Sequence, residues 1–173
     1  MHRYKCWNGP APTIAAQQQV TTGTAIKTML QIATPSTRMI QLVSWGFSVD
    51  DPPGADATFE LLETDVAATG LTAHVAAGVQ PVWPGLPASL MTLSTSGTGY
   101  ASTAPTEGTI TATRVFDVVS MSSVSAEAAP VMQYAFQFLE AERPIINVSK
   151  FLRVRATTPT TAVDMRCWVC WDE

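Results

Sequence analysis

The chain has 173 residues and a mass of 18.5 kDa, enough for one domain with a substantial core. Apolar residues make up 46% and charged residues 14%, and with a net charge of only −4 this composition excludes a disordered chain. No run approaches the roughly 18 to 20 consecutive apolar residues of a membrane-spanning helix, so no membrane partner is expected.

The first residues, Met1 to Cys6 followed by Trp7-Asn8-Gly9-Pro10, lack the apolar stretch of a secretory leader, and export is not expected. Residues 1–49 carry Arg3, Lys5, Lys27 and Arg38 and no acid, whereas the remainder is acidic. Four dispersed cations are too few for a nucleic-acid groove, which needs a clustered basic stripe. Either the split is accidental or a basic N-terminal segment docks on an acidic protein surface.

Residues 1–24 read as an extended, irregular arm, with Pro10, Pro12, Gln17-Gln18-Gln19 and Thr21-Thr22-Gly23-Thr24. Within it Arg3, Tyr4, Lys5 and Trp7 are candidate protein contacts, Tyr4 and Trp7 as anchors. Residues 25–173 then follow a period of two far more often than 3.6. Ile26, Thr28, Leu30 and Ile32 alternate up to Pro35. Met39, Gln41, Val43, Trp45, Phe47 and Val49 form one face of a long strand, with Ile40, Leu42 and Ser44 opposite. Asp50-Asp51-Pro52-Pro53-Gly54 is a turn. Phe59 and Leu61 then oppose Glu60 and Leu62.

Between Val66 and Thr106 there is no Asp, Glu, Lys or Arg. Such a stretch is either a contact surface, with Trp83 as its anchor, or a loop with Trp83 tucked onto its own core. Residues 109–119 and 131–139 read as strands, the second with Met132, Tyr134, Phe136 and Phe138 on one face. Ser122 to Ala129 is the segment most open to a helical reading, although its serines and Pro130 oppose it. Phe151–Ala156 and Val163–Trp171 are two last strands. Arg153 and Arg155 share a face, there to meet an acidic partner edge or to keep a sheet surface wet. The expectation is an all-β fold, an antiparallel sandwich or barrel.

Chemistry-bearing patterns are sparse. Cys167-Trp-Val-Cys170 has zinc-knuckle spacing but lies in an alternating segment, where residues three apart face opposite ways, so reduced structural thiols are expected. His74 has no acid near it in sequence, and no nucleophile–His–acid pattern occurs. Asp50, Asp51 and Asp56 could chelate calcium but read better as turn acids, and nothing selects a glycosidase pair among Glu60, Glu63, Asp65, Glu140 and Glu142. Neither a metal nor another cofactor is expected, and the protein is not expected to be an enzyme.

Three features together resemble the minor capsid and head-decoration proteins of tailed bacteriophages. They are Lys27-Thr-Met-Leu-Gln-Ile with Ile40-Gln-Leu-Val-Ser-Trp45-Gly46-Phe47, then Glu142-Arg-Pro144-Ile-Ile-Asn-Val into Phe151-Leu-Arg-Val-Arg155, and the terminal Cys167-Trp-Val-Cys-Trp171-Asp-Glu173. The resemblance implies a jelly-roll-like sandwich made in the host cytoplasm and seated on the outer capsid surface of a virion. It further implies a homotrimer whose partner is the major capsid protein. A receptor- or carbohydrate-binding module of tail-fibre type is the alternative, with Trp83, Trp45 or Tyr100 as sugar-facing aromatics.

Overall fold

The structure, a computed structural model, describes residues 1–123 and 132–173. Alternation of β-branched and aromatic residues with polar ones builds thirteen strands among the described residues. They are β1 (Arg3–Trp7), β2 (Val20–Thr21), β3 (Lys27–Ala33), β4 (Ile40–Val49), β5 (Ala57–Thr64), β6 (Thr72–Ala73) and β7 (Val79–Pro81). The rest are β8 (Gly99–Tyr100), β9 (Thr113–Met121), β10 (Met132–Gln137), β11 (Ile145–Ile146), β12 (Phe151–Thr157) and β13 (Asp164–Asp172). Single turns of 3-10 helix cover Ala76–Gly78 and Glu140–Glu142.

The strands form two antiparallel sheets packed face to face, as expected of a β-sandwich. Sheet A runs β10-β4-β13-β1-β7, with β11 added to β4 and β2 to β13; sheet B runs β6-β8-β3-β12-β5-β9. One hydrophobic core joins the inner faces, with Leu30, Ile32, Phe59, Leu61 and Val154 from sheet B. Tyr4, Cys6, Trp45, Phe47, Val169 and Trp171 meet them from sheet A. Phe47 stacks on Phe59 across the gap, with centroids 4.2 Å apart.

Register shifts interrupt three of the ladders, one of them in β9 at Phe116 opposite Leu61 and Leu62, and the other two reset the alternation of the sequence. Opposite β13 the register of β4 skips Val43, so Cys170 faces Ser44 while Trp171 faces Leu42. This bulge turns Ile40 and Leu42 into the core and leaves Met39 exposed and Gln41 half-buried, the reverse of the simple period-two expectation for that end. A second bulge, at Met29 opposite Val154 and Arg155, turns Thr28 to the outer face of sheet B while Leu30 faces inward.

The N-terminal segment is not a free arm. β1 lies inside sheet A, paired with β13 over all five residues and with β7 over Tyr4, Lys5 and Cys6. The sequence Arg-Tyr-Lys-Cys-Trp alternates, sending Tyr4 and Cys6 into the core and Arg3, Lys5 and Trp7 outward. Residues 11–19 beyond it have no regular secondary structure.

The charge-free stretch divides. Its two ends lie on the outer face of sheet B, where Ala68, Leu71 and Ala101 form a second small core. There Gln31 fastens them: its Nε2 donates to the carbonyls of Gly97 (2.8 Å) and Ser96 (3.1 Å), and its Oε1 accepts from the Ala68 amide (2.8 Å). Its middle crosses to sheet A as β7. On the remaining segments, β9 begins at Thr113 rather than 109, because Asp65 accepts from the backbone of Thr111 and Ala112 and holds them off the ladder. Of the possible helix at 122–129, Ser122 and Ser123 are irregular, and the rest lies outside the described residues.

Candidate interaction surfaces

Outward-pointing residues of β1 and β13 come together on the outer face of sheet A. Arg3 clamps Asp172 through Nε and Nη2, both at 2.8 Å, and Arg143 Nη1 reaches the same carboxylate at 3.4 Å. The Trp83 indole lies beside this cluster, 5.7 Å from the Arg3 guanidinium carbon, and is 50% exposed. Further along β1, Lys5 Nζ sits 3.9 Å from the ring centroid of Trp168 and 4.6 Å from that of Trp7. Burial against these rings lowers the Lys5 pKa.

Four sequence candidates, Arg3, Lys5, Trp7 and Trp83, therefore share one region. Tyr4 does not join them: it is 1% exposed, packs 6.2 Å from Trp171, and its hydroxyl donates to the Pro87 carbonyl (2.9 Å). It is a core residue and offers no anchor to a partner. Trp168 and Arg166 belong to the region but were not singled out in the sequence. The alternation around Cys167 carried that signal, since whatever flanks an inward cysteine faces outward.

Arg153 and Arg155 do share a face, the outer face of sheet B, but neither is free to meet a partner. The Arg153 side chain is 0% exposed, because the ends of the charge-free stretch cover it. Its Nη1 donates to the Glu107 carboxylate (3.0 Å) and carbonyl (3.1 Å), and its Nη2 donates to the Val66 carbonyl. Glu107 is further held by the Thr28 amide and hydroxyl, both at 2.6 Å. Arg155 pairs with Glu60 at 2.9 Å. Both arginines fasten the domain together.

The titratable groups are spent on structure in the same way. Buried His74 meets the Trp7 carbonyl at 2.9 Å through Nε2, which must donate there, and burial lowers its pKa. Asp50 and Asp56 accept from the amides of Asp164 (3.0 Å) and Ser123 (3.3 Å), as turn acids do. The hydroxyl of Thr111 and the amide of Ala112 hold the Asp65 carboxyl at a pKa of about 2. Asp117 accepts from Trp45 Nε1 (2.9 Å) and from the Tyr134 hydroxyl (2.7 Å), and burial together with that bond pushes Tyr134 up to about 12. Cys6, Cys167 and Cys170 are all buried free thiols, and burial raises each thiol pKa. Among the described residues, no three His, Cys, Asp or Glu side chains are placed to hold a metal ion.

The rest of the exposed apolar surface in the charge-free stretch lies on its middle part. Val75, Val82, Trp83, Leu90 and Leu93 are all exposed there, with no charged residue between them in sequence. Comparison with known proteins identifies no relative: no family model, curated protein or solved structure matches this chain.

Proposed function

We propose that the protein is a structural virion component that seats on the outer surface of a capsid and reinforces it, with the major capsid protein as its partner. The observation that carries this reading is the segment 75–93, which has no charged residue of its own and presents Val75, Val82, Trp83, Leu90 and Leu93 to solvent. Surfaces that bury against another protein are depleted of charge and anchored by aromatics, whereas a solvated loop of this length would carry charge. Trp83, propped beside Arg3 on a sheet edge, is the anchor. Most successive long strands cross between the sheets, β5 and β9 excepted, and this supports the jelly-roll-like topology such a component would have.

The work is binding, with no bond made or broken. His74 and the carboxylates described above are engaged in holding the fold, which fits that role. A homotrimer would bring three flanks to the lattice at once, and linking modest contacts raises avidity by about 10² to 10⁴. Of the three aromatics first considered for the alternative, a tail-fibre sugar module, Trp83 is half exposed and the other two are engaged within the fold. Trp45 is wholly buried and Tyr100 packs on His74, with ring centroids 5.0 Å apart.

The test is co-sedimentation of purified protein with capsids that lack it. Trp83→Asp combined with Leu90→Asp should leave the fold intact, since both side chains are half or more exposed, and should abolish sedimentation with the shells. Retained co-sedimentation by the folded double variant would overturn the reading. Light scattering on the eluting protein tests the trimer, and a monomer at about 50 μM, a concentration at which a micromolar assembly persists, would remove it.

A further inference from the structure

A cleft on the outer face of sheet A remains outside the proposed docking flank. Trp7, Trp168, Phe47, Arg166, Ser48 and Gln133 line it, and its volume is about 270 Å³. Its form follows from one backbone position. Gly46 stands directly opposite Trp168 in the ladder, and a Cβ there would come within 2.9 Å of the indole. Glycine thus lets the Trp168 ring lean across β4. Trp7 meets it from the other side, with centroids 6.2 Å apart and planes inclined at 53°, so the two indoles make an open V.

The polar groups around the V have a consistent chemistry. Arg166 uses Nε on the Gln17 carbonyl (3.1 Å), and among the described residues neither Arg166 nor Lys5 pairs with a carboxylate. Every other arginine of sheets A and B does so: Arg3, Arg114, Arg153 and Arg155. The cleft therefore carries one guanidinium, Arg166, with no carboxylate partner among the described residues, and the Lys5 ammonium lies over the two indoles beside it. Hydroxyl and amide groups of Ser48 and Gln133 complete it, and no aliphatic side chain lines it. Indole faces with amides, a hydroxyl and a guanidinium suit a ring that is apolar on its C–H face, hydroxylated at its rim and carboxylated at one end.

We propose that this cleft binds an acidic saccharide, with the sugar ring against the Trp7 and Trp168 indoles and its carboxylate on Arg166. The inference does not depend on the capsid reading, because none of the cleft's residues belongs to the 75–93 segment and it is tested without capsids.

The experiment follows the indole N–H signals of the full-length protein by NMR during titration with three probes. These are a trimer of galacturonic acid, the neutral trimer of galactose, and a Glu-rich peptide. The uronate trimer should shift the Trp7 and Trp168 signals saturably and leave that of buried Trp45 in place. Arg166→Gln and, separately, Gln133→Ala should fold normally; the first should weaken uronate binding at least about tenfold, the loss of one charge-assisted pair. Trp83→Asp should bind as the parent does. No saturable shift up to about 20 mM, a level that would detect even millimolar affinity, overturns the proposal. So does equal affinity for the neutral trimer, tighter binding of the peptide, or an Arg166→Gln variant that binds unchanged.

Discussion

At the scale of single residues, the most consequential contact is the buried Arg153 with Glu107. A fully enclosed guanidinium is tolerable only with its counter-charge and acceptors in place, and here Glu107 supplies a carboxylate and a carbonyl. Glu107→Ala should therefore destabilise the protein by about 3 kcal/mol, because it strands a buried charge and also orphans the Thr28 amide. Adding Arg153→Met should recover part of that loss, since an apolar side chain of similar length needs no partner. Urea midpoints for the two variants measure both effects, and a cost below about 1 kcal/mol for Glu107→Ala would mean that the pair does not hold the covering segment down. None of this was legible in the sequence. Arg153 and Arg155 alternate as any outward pair does, and only the covering of that face by the segments around Val66 and Glu107 converts one of them into an interior residue.

At the scale of elements, alternation revealed most of the strands and hence the sandwich. What it missed has two causes. β-Bulges at Met29 and Val43 add one residue to one strand only, and a strict period of two then assigns half the strand to the wrong face. The other miss was β1. Its five residues alternate as well as any strand here, but the prolines and glutamines that follow gave the whole region the look of an arm. The consequence is specific. Removing residues 1–8 should not yield a folded protein unable to dock; it should yield no folded protein, because it opens sheet A between β13 and β7 and removes Tyr4 and Cys6 from the core. Tyr4→Ala alone should cost about 3 to 5 kcal/mol, a large share of the 5 to 15 kcal/mol that stabilises a typical domain. Circular dichroism and a urea midpoint separate these outcomes, and a truncated protein with native far-UV signal and parental midpoint would contradict the placement of β1.

At the scale of the whole molecule, the charge-free stretch couples the two sheets, and His74 is the titratable group at that join. Its Nε2–H reaches back to the Trp7 carbonyl at the end of β1, and its Nδ1 lies so close to Gly78 that a Cβ there would stand 2.5 Å away. The ring is thus enclosed between sheet A and the crossing segment, with Tyr100 against it, and desolvation favours the neutral form. The folded pKa is lowered, so the unfolded chain takes up the proton first as pH falls. Stability from this group is then complete above the unfolded value of about 6.5 and declines below it until the folded pKa is reached. The slope in that window can be no steeper than about 1.4 kcal/mol per pH unit for one group. Urea midpoints at pH 7.5 and 5.5 should fall accordingly for the parent, while His74→Gln, which keeps an N–H to donate but cannot titrate, should show a markedly smaller difference whatever its absolute stability. The Asp65 carboxyl, held at about 2, titrates far below the window. Equal pH dependence in parent and variant would mean that the join between the sheets does not exclude water from His74.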